Sequence, residues 1–123
     1  MKDIFEFSSG GTFHPEGFGS WFFRLEDRVV TISHNIKGQI KNYGEFYLDE
    51  SDSDKIWNLI DNANFKQSTR SGQPDEPKYL FAIKNQKMEI WSGDARDDEK
   101  LVSLIDHLTV LIEKYTKKKP VLW

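Results

Sequence analysis

The pattern of apolar and polar positions predicts a chain that begins with short strands and later alternates strands with helices. Six short segments, either alternating or rich in aromatic and β-branched residues, have the character of strands: 4–7, 21–25, 29–34, 44–48, 79–83 and 87–91. The second and third are separated by three polar residues and the last two by a polar turn around Asn85 and Gln86, so we expect two hairpins.

The segment 51–65 predicts an amphipathic helix. Its apolar residues share one face at spacings of three and four: Ile56, Leu59, Ile60 and Ala63. Three residues are candidates for its N-cap: Ser51, Asp52 and Ser53. We expect Asn62 and Asn64 to provide a left-handed exit, followed by a polar loop over 66–77.

A second helix is predicted from the acidic residues at 97–99 to the lysines at 117–119. Its apolar positions again recur at spacings of three and four: Leu101, Leu104, Leu108, Leu111 and Tyr115. Lysines suit the negative end of a helix dipole, and Pro120 ends the pattern. Residues 117–123 are therefore expected to form a short basic and apolar C-terminal tail.

These elements predict a single α+β domain over 1–123. The expected order is strand, hairpin, strand, helix, hairpin, helix, which gives one antiparallel sheet of about five to six strands with both helices packed on one face. Alternation places Trp21, Phe23 and Leu25 on one side of the sheet, and Phe22 and Arg24 on the other. Because both sides carry aromatic residues, the side without helices is expected to be curled, self-associated or used for binding.

Composition excludes several classes of function. The chain of 123 residues has no cysteine, which rules out disulfides, thiolate zinc sites and cysteine nucleophiles. A net charge of −3 argues against a general nucleic-acid binder. The first apolar run contains acidic residues and no stretch has the length of a membrane span, so we expect a soluble, cytoplasmic protein without nucleic acid or membrane as partner.

The search for catalytic and metal-binding patterns is negative. His14, His34 and His107 form no HxxxH or HxH pair. The carboxylates at 49–54 and 94–99 are interpreted as helix-capping groups, because a calcium loop needs a central glycine that is missing here. The glycines form neither a dinucleotide fingerprint nor a phosphate loop. We therefore predict no catalytic residue, no metal and no cofactor.

Two loops are the candidate binding elements. The segment Gly10 to Ser20 combines glycines with two large aromatics, which are either core residues that close one end of the sheet or exposed anchors for a partner. The loop 71–77 is the second candidate surface. The predicted binding residues are Phe13, His14, Phe18, Pro74 and Asp75.

The order of the elements, together with Ser9-Gly10-Gly11 and Phe13 after the first strand and Ala63-Asn64-Phe65 at the end of the first helix, resembles the emfourin-like family of small bacterial proteins. Known members of that family include proteinaceous inhibitors of thermolysin-like metallopeptidases. The resemblance spans most of the chain and implies an α+β fold with a peptidase as partner. This sequence departs from the family pattern by the insertion His14-Pro15-Glu16-Gly17 and by its aromatic first hairpin.

The expected function is that of a small, non-enzymatic binding domain, with inhibition of a metallopeptidase as its most concrete form. One alternative is a small-ligand-binding or enzymatic domain that uses a pocket between sheet and helices, with His34 or His107 as its polar group. Another is a homodimer that uses the exposed side of the sheet and the tail at 121–123. A deep pocket with a histidine and a carboxylate would favour the enzyme.

Overall fold

The computed structural model describes residues 4–9, 20–36, 39–63, 65–69, 78–118 and 120. Within these residues, six strands form one sheet: β1 (Ile4–Ser9), β2 (Ser20–Glu26), β3 (Val29–Ile36), β4 (Gln39–Tyr47), β5 (Lys78–Ile83) and β6 (Gln86–Trp91). The helices are α1 (Glu50–Asn62), α2 (Ser92–Arg96) and α3 (Glu99–Thr116). The predicted α+β class and the single antiparallel sheet are confirmed.

The first strand lies in the middle of the sheet. The strand order is β4-β3-β2-β1-β5-β6, and all neighbours run antiparallel. β1 pairs with β2 through Phe5↔Leu25 and with β5 through Phe7↔Phe81. It therefore joins the meander that precedes α1 to the hairpin that follows it.

One face of the sheet forms the core together with the helices. Phe5, Phe7, Phe23 and Phe81 are at most 1% exposed. Their ring centroids lie 5.3–6.4 Å apart in tilted or edge-on arrangements, which aromatic pairs prefer to a direct sandwich. Trp21, Phe23 and Leu25 are buried on this face while Phe22 and Arg24 point to the other, as the alternation predicts.

The boundaries of α1 differ from the prediction. The helix begins at Glu50, and its N-cap is Asp49, whose Oδ1 accepts a hydrogen bond of 2.7 Å from the amide of Asp52. The expected left-handed exit is not found at Asn62, which is the last helical residue and is followed by Ala63 in an extended conformation, and Asn64 lies outside the described residues. The cap lies two residues before the first predicted candidate, Ser51, because several neighbouring polar side chains could serve, and local sequence does not discriminate among them.

Side chains fasten the start of α1 to the β2–β3 turn. The guanidinium of Arg28 donates two hydrogen bonds, of 3.1 and 2.9 Å, to the carbonyl of Leu48. The indole of Trp57 donates to the carbonyl of Asp27 at 2.8 Å. These bonds fix α1 against the end of the sheet where β2 turns into β3.

The C-terminal helix follows the prediction closely. Asp98 caps α3 by accepting from the amides of Lys100 and Leu101, and Lys117 ends the helix in the left-handed region with φ of 63°. The residues that follow β6 directly form the short helix α2. None of the helices in the described ranges is long and apolar enough to cross a membrane.

The connections between β3 and β4 and between β5 and β6 also differ in detail from the prediction. The sequence predicts strands over 29–34 and 44–48, but β3 extends to Ile36 and β4 already begins at Gln39. In the second hairpin the turn residues are Lys84 and Asn85, both with positive φ, and Gln86 already belongs to β6. Two consecutive left-handed residues match the right-handed twist of the strands that they join.

The two edges of the sheet are treated differently. Residues 65–69 run along the β6 edge, where the amide of Ser68 donates to the carbonyl of Glu89 at 2.9 Å and the amide of Glu89 donates to Oε1 of Gln67 at 2.8 Å. The β4 edge carries a bulge opposite Ile32 and Ser33. There the amide of Gly44 is bonded to the side chain of Asn42, so the bulge interrupts the β4 edge as a template for further pairing.

We expect the substitution Phe7→Ala to lower the free energy of unfolding by about 3–5 kcal/mol, because it removes a fully buried ring from the centre of the core. Leu80→Ala is the matched control, since Leu80 lies on the opposite face of the adjacent strand and is 39% exposed. Leu80→Ala should lower the free energy of unfolding by about 1 kcal/mol or less. Urea unfolding of both variants measures the difference, and equal losses would contradict the assignment of the two faces.

Candidate functional site

Both predicted binding loops attach at one end of the sheet, which we call the loop end and define by Ser9, Ser20, Lys78 and Trp91. Ser9 pairs with Tyr79, and Lys78 pairs with Trp91, so β1 ends where β5 begins and where β6 ends. Ser20 starts β2 on the other side of β1. The sequences 10–19 and 70–77 are therefore anchored on neighbouring strands at the same end of the fold.

The predicted binding residues themselves lie outside the described residues. These are Phe13, His14, Phe18, Pro74 and Asp75. Whether the aromatic pair in this set belongs to the core or to a binding surface stays a prediction.

An aromatic stack lies on the helix side of the sheet next to the loop end. The ring of Trp21 lies parallel to that of His34, with centroids 3.8 Å apart, and 6.0 Å from that of Tyr43. The ammonium of Lys41 lies over Tyr43, 5.0 Å from the ring centroid. The amide of Trp21 donates a 2.8 Å hydrogen bond to Oγ of Ser9. Trp21 is only 2% exposed, so this stack fixes the strand ends from which residues 10–19 depart.

A cavity of about 270 Å³ lies beside β6. It is lined by Lys66, Gln67, Ser68, Thr69, Ile90, Asp94, Asp98 and Leu101. The hydroxyl of Ser68 donates to Oδ2 of Asp94 at 2.5 Å and accepts from the amide of Trp91 at 3.1 Å, while Asp98 caps α3. These groups therefore stabilise the junction of β6, α2 and α3, and the serine hydroxyl is occupied on both its donor and its acceptor side.

Neither of the two described histidines is among the residues that line this cavity. His34 lies in the aromatic stack, and His107 lies on α3, 8% exposed, with no hydrogen-bond partner for its Nε2 among the described residues. In the described part of the chain, no group of three or more histidine or carboxylate residues could hold a metal ion. The structure thus does not bring a histidine together with the carboxylates of the pocket.

The face of the sheet opposite the helices, here called the open face, presents apolar side chains among paired charges. Ile40 is 71% exposed, Tyr47 75% and Leu80 39%. Charged neighbours on this face form ion pairs: Arg24 with Glu26 at 3.3 Å, and Lys78 with Glu89 at 3.6 Å. Apolar side chains between charged ones resemble the mixed surface of non-obligate interfaces.

The fold and these surfaces define a small α+β domain whose candidate site is a set of loops at one end of a rigid sheet. Comparison with protein-family models and with curated proteins gave no significant match.

Sequence reasoning missed the Ser68 junction and the aromatic stack. The sequence around both features is ambiguous. Ser68 lies in a polar stretch that is typical of a loop, and the strand pattern around His34 does not indicate which residue is its cross-strand neighbour. Both features depend on contacts between residues that are distant in sequence. They could not be predicted, because the periodicity of apolar residues and the composition report only on local structure.

The substitution Ser68→Ala should lower the free energy of unfolding by about 1–2 kcal/mol, because it removes the hydrogen bond to Asp94 and the acceptor for the amide of Trp91. Thr69→Ala changes an exposed hydroxyl that lines the same cavity and should have less effect. Chemical denaturation measures the free energy of unfolding of both variants. Amide hydrogen exchange should show faster opening at Trp91 in Ser68→Ala and not in Thr69→Ala. Equal exchange in the two variants would contradict the role of Ser68.

Proposed function

We propose that this protein is a non-enzymatic binding domain that engages a protein partner through the loop end of its sheet. The proposal rests on one observation: the strand ends that flank the segments 10–19 and 70–77 lie at the same end of the sheet. Loops on a rigid scaffold commonly carry binding residues, since the scaffold limits the entropy lost on association.

The surroundings of the loop end support this proposal. The stack of Trp21, His34 and Tyr43 and the hydrogen bond between Trp21 and Ser9 hold the strand ends beside the first loop. The hydrogen bonds of Ser68 do the same for the residues that precede the second. Both loops are thus attached to flanks that ring contacts or hydrogen bonds join to the sheet.

The most concrete form of the proposal is inhibition of a thermolysin-like metallopeptidase, as the resemblance to the emfourin-like family implies. An inhibitor of this kind occupies the cleft of the peptidase and is not turned over. Phe13 and Phe18 are our candidates for the anchoring side chains, because large aromatic groups dominate the energetics of many interfaces.

The enzymatic alternative has less support. It requires a polar group free to react, and the serine of the cavity already donates to one group and accepts from another. Self-association through the open face is favoured by the exposure of Ile40 and Tyr47. Sedimentation of the purified protein measures that alternative independently of any partner.

A titration of the purified protein against a thermolysin-like metallopeptidase tests the proposal. We expect residual peptidase activity to fall to a low plateau near equimolar ratio while the protein stays intact by mass spectrometry. Unchanged peptidase activity, or progressive cleavage of the protein, would refute inhibition.

The variants Phe13→Ala and Phe18→Ala locate the binding surface. If these rings are anchors, each variant should weaken inhibition by about thirtyfold or more, the scale of an interface hot spot, and leave the melting temperature nearly unchanged. Tyr47→Ala is the control, because Tyr47 is an exposed aromatic at the opposite end of the sheet and should not affect inhibition. A large fall in melting temperature for the phenylalanine variants would assign these rings to the core instead.

A further inference from the structure

His107 occupies a position on α3 that an apolar residue would fill more favourably. It lies in the buried stripe of the helix with Leu104, Leu108 and Leu111, and it is 8% exposed. Its Nε2 has no hydrogen-bond partner among the described residues. Burying a polar atom without a partner costs free energy, which makes this histidine unusual in an otherwise apolar helix face.

The charged groups that shift the pKa of His107 come from α1. Burial is the main cause that lowers the pKa of His107, the ammonium of Lys55 lowers it further, and the carboxylate of Asp52 acts in the opposite direction. Asp52 is not free to serve as a counter-ion, because its Oδ2 lies 2.5 Å from Nζ of Lys114 and 3.5 Å from the hydroxyl of Tyr115. A proton on His107 would therefore place a cation beside Lys55, with Asp52 already engaged.

Few residues are buried in α1, the helix that carries Lys55 and Asp52. Only three of the thirteen residues of α1 are buried, namely Ser53, Ile56 and Ile60, against eight of the eighteen residues of α3. Elements with few buried contacts open at lower free energy than the core around them. The contact between α1 and α3 is thus a place where one additional charge can favour local opening.

We propose that His107 makes the contact between α1 and α3 sensitive to protons: neutral His107 packs against α1, and its protonation in mild acid loosens α1 while the central strands stay paired. The direction follows from linkage. The folded state binds a proton on His107 less readily than the unfolded state. The stabilisation that neutral His107 gives to the folded state is therefore complete above about pH 6.5, the ordinary pKa of histidine, and is lost as the pH falls from there through the lowered pKa.

Amide hydrogen exchange at pH 7.5 and 5.5, corrected for the intrinsic effect of pH, tests this inference on the whole protein. We expect a several-fold rise in the opening of α1 amides at the lower pH, with little change in β1 and β2. Equal opening of α1 at both pH values would overturn the proposal, as would a rise of the same size in the central strands.

Two substitutions of His107 distinguish the effect of its protonation from the effect of its side chain. His107→Gln keeps a polar group that does not titrate, and His107→Leu fills the site with an apolar one; both should abolish the acid-induced opening of α1. His34→Gln removes a histidine from the sheet and is the matched control, in which the acid response should persist. Persistence of the response in both His107 variants would overturn the proposal, and either variant suffices if the other does not fold.

Discussion

The fold depends on the insertion of β1 between β2 and β5. This strand is the link between the three-stranded meander and the C-terminal hairpin, and its Phe5 and Phe7 are fully buried against aromatic residues from both sides. Pairing of β1 with β5 joins residues seventy or more positions apart, which costs chain entropy that the buried aromatic surface must offset. The end of β1 also fixes where the candidate binding loops leave the sheet.

Once β1 is in place, the two edges of the sheet are protected by different means. The β6 edge is covered by residues 65–69, whose hydrogen bonds occupy the outward-pointing amides of Glu89 and Trp91. The β4 edge instead carries a bulge, with Gly44 at a φ of 92°. Open edges favour uncontrolled pairing with other chains, so the loop end and the open face remain the principal surfaces for specific contacts among the described residues.

Polar groups in this protein serve mainly to join elements. Asp49 and Asp98 cap helices, Arg28 and Trp57 hold α1 to the β2–β3 turn, and Ser68 joins β6 to α2. The short hydrogen bond from the amide of Asp52, assisted by Lys114, lowers the pKa of Asp49, which keeps this cap ionised. His107 differs from these groups, since it is buried in the same scaffold and its Nε2 has no hydrogen-bond partner in the described part of the chain.

Sequence alone determined the elements and their faces: the strand positions of β1, β2, β5 and β6, the burial of Trp21, Phe23 and Leu25, and the apolar stripe of α3 were all predicted, because side-chain periodicity is a local property. It also identified the two candidate loops. Only the tertiary structure decided that β1 is central, that residues 65–69 cover an edge, and that both loops share one end of the sheet. Those features arise from pairing between distant segments, for which many arrangements satisfy the same local pattern.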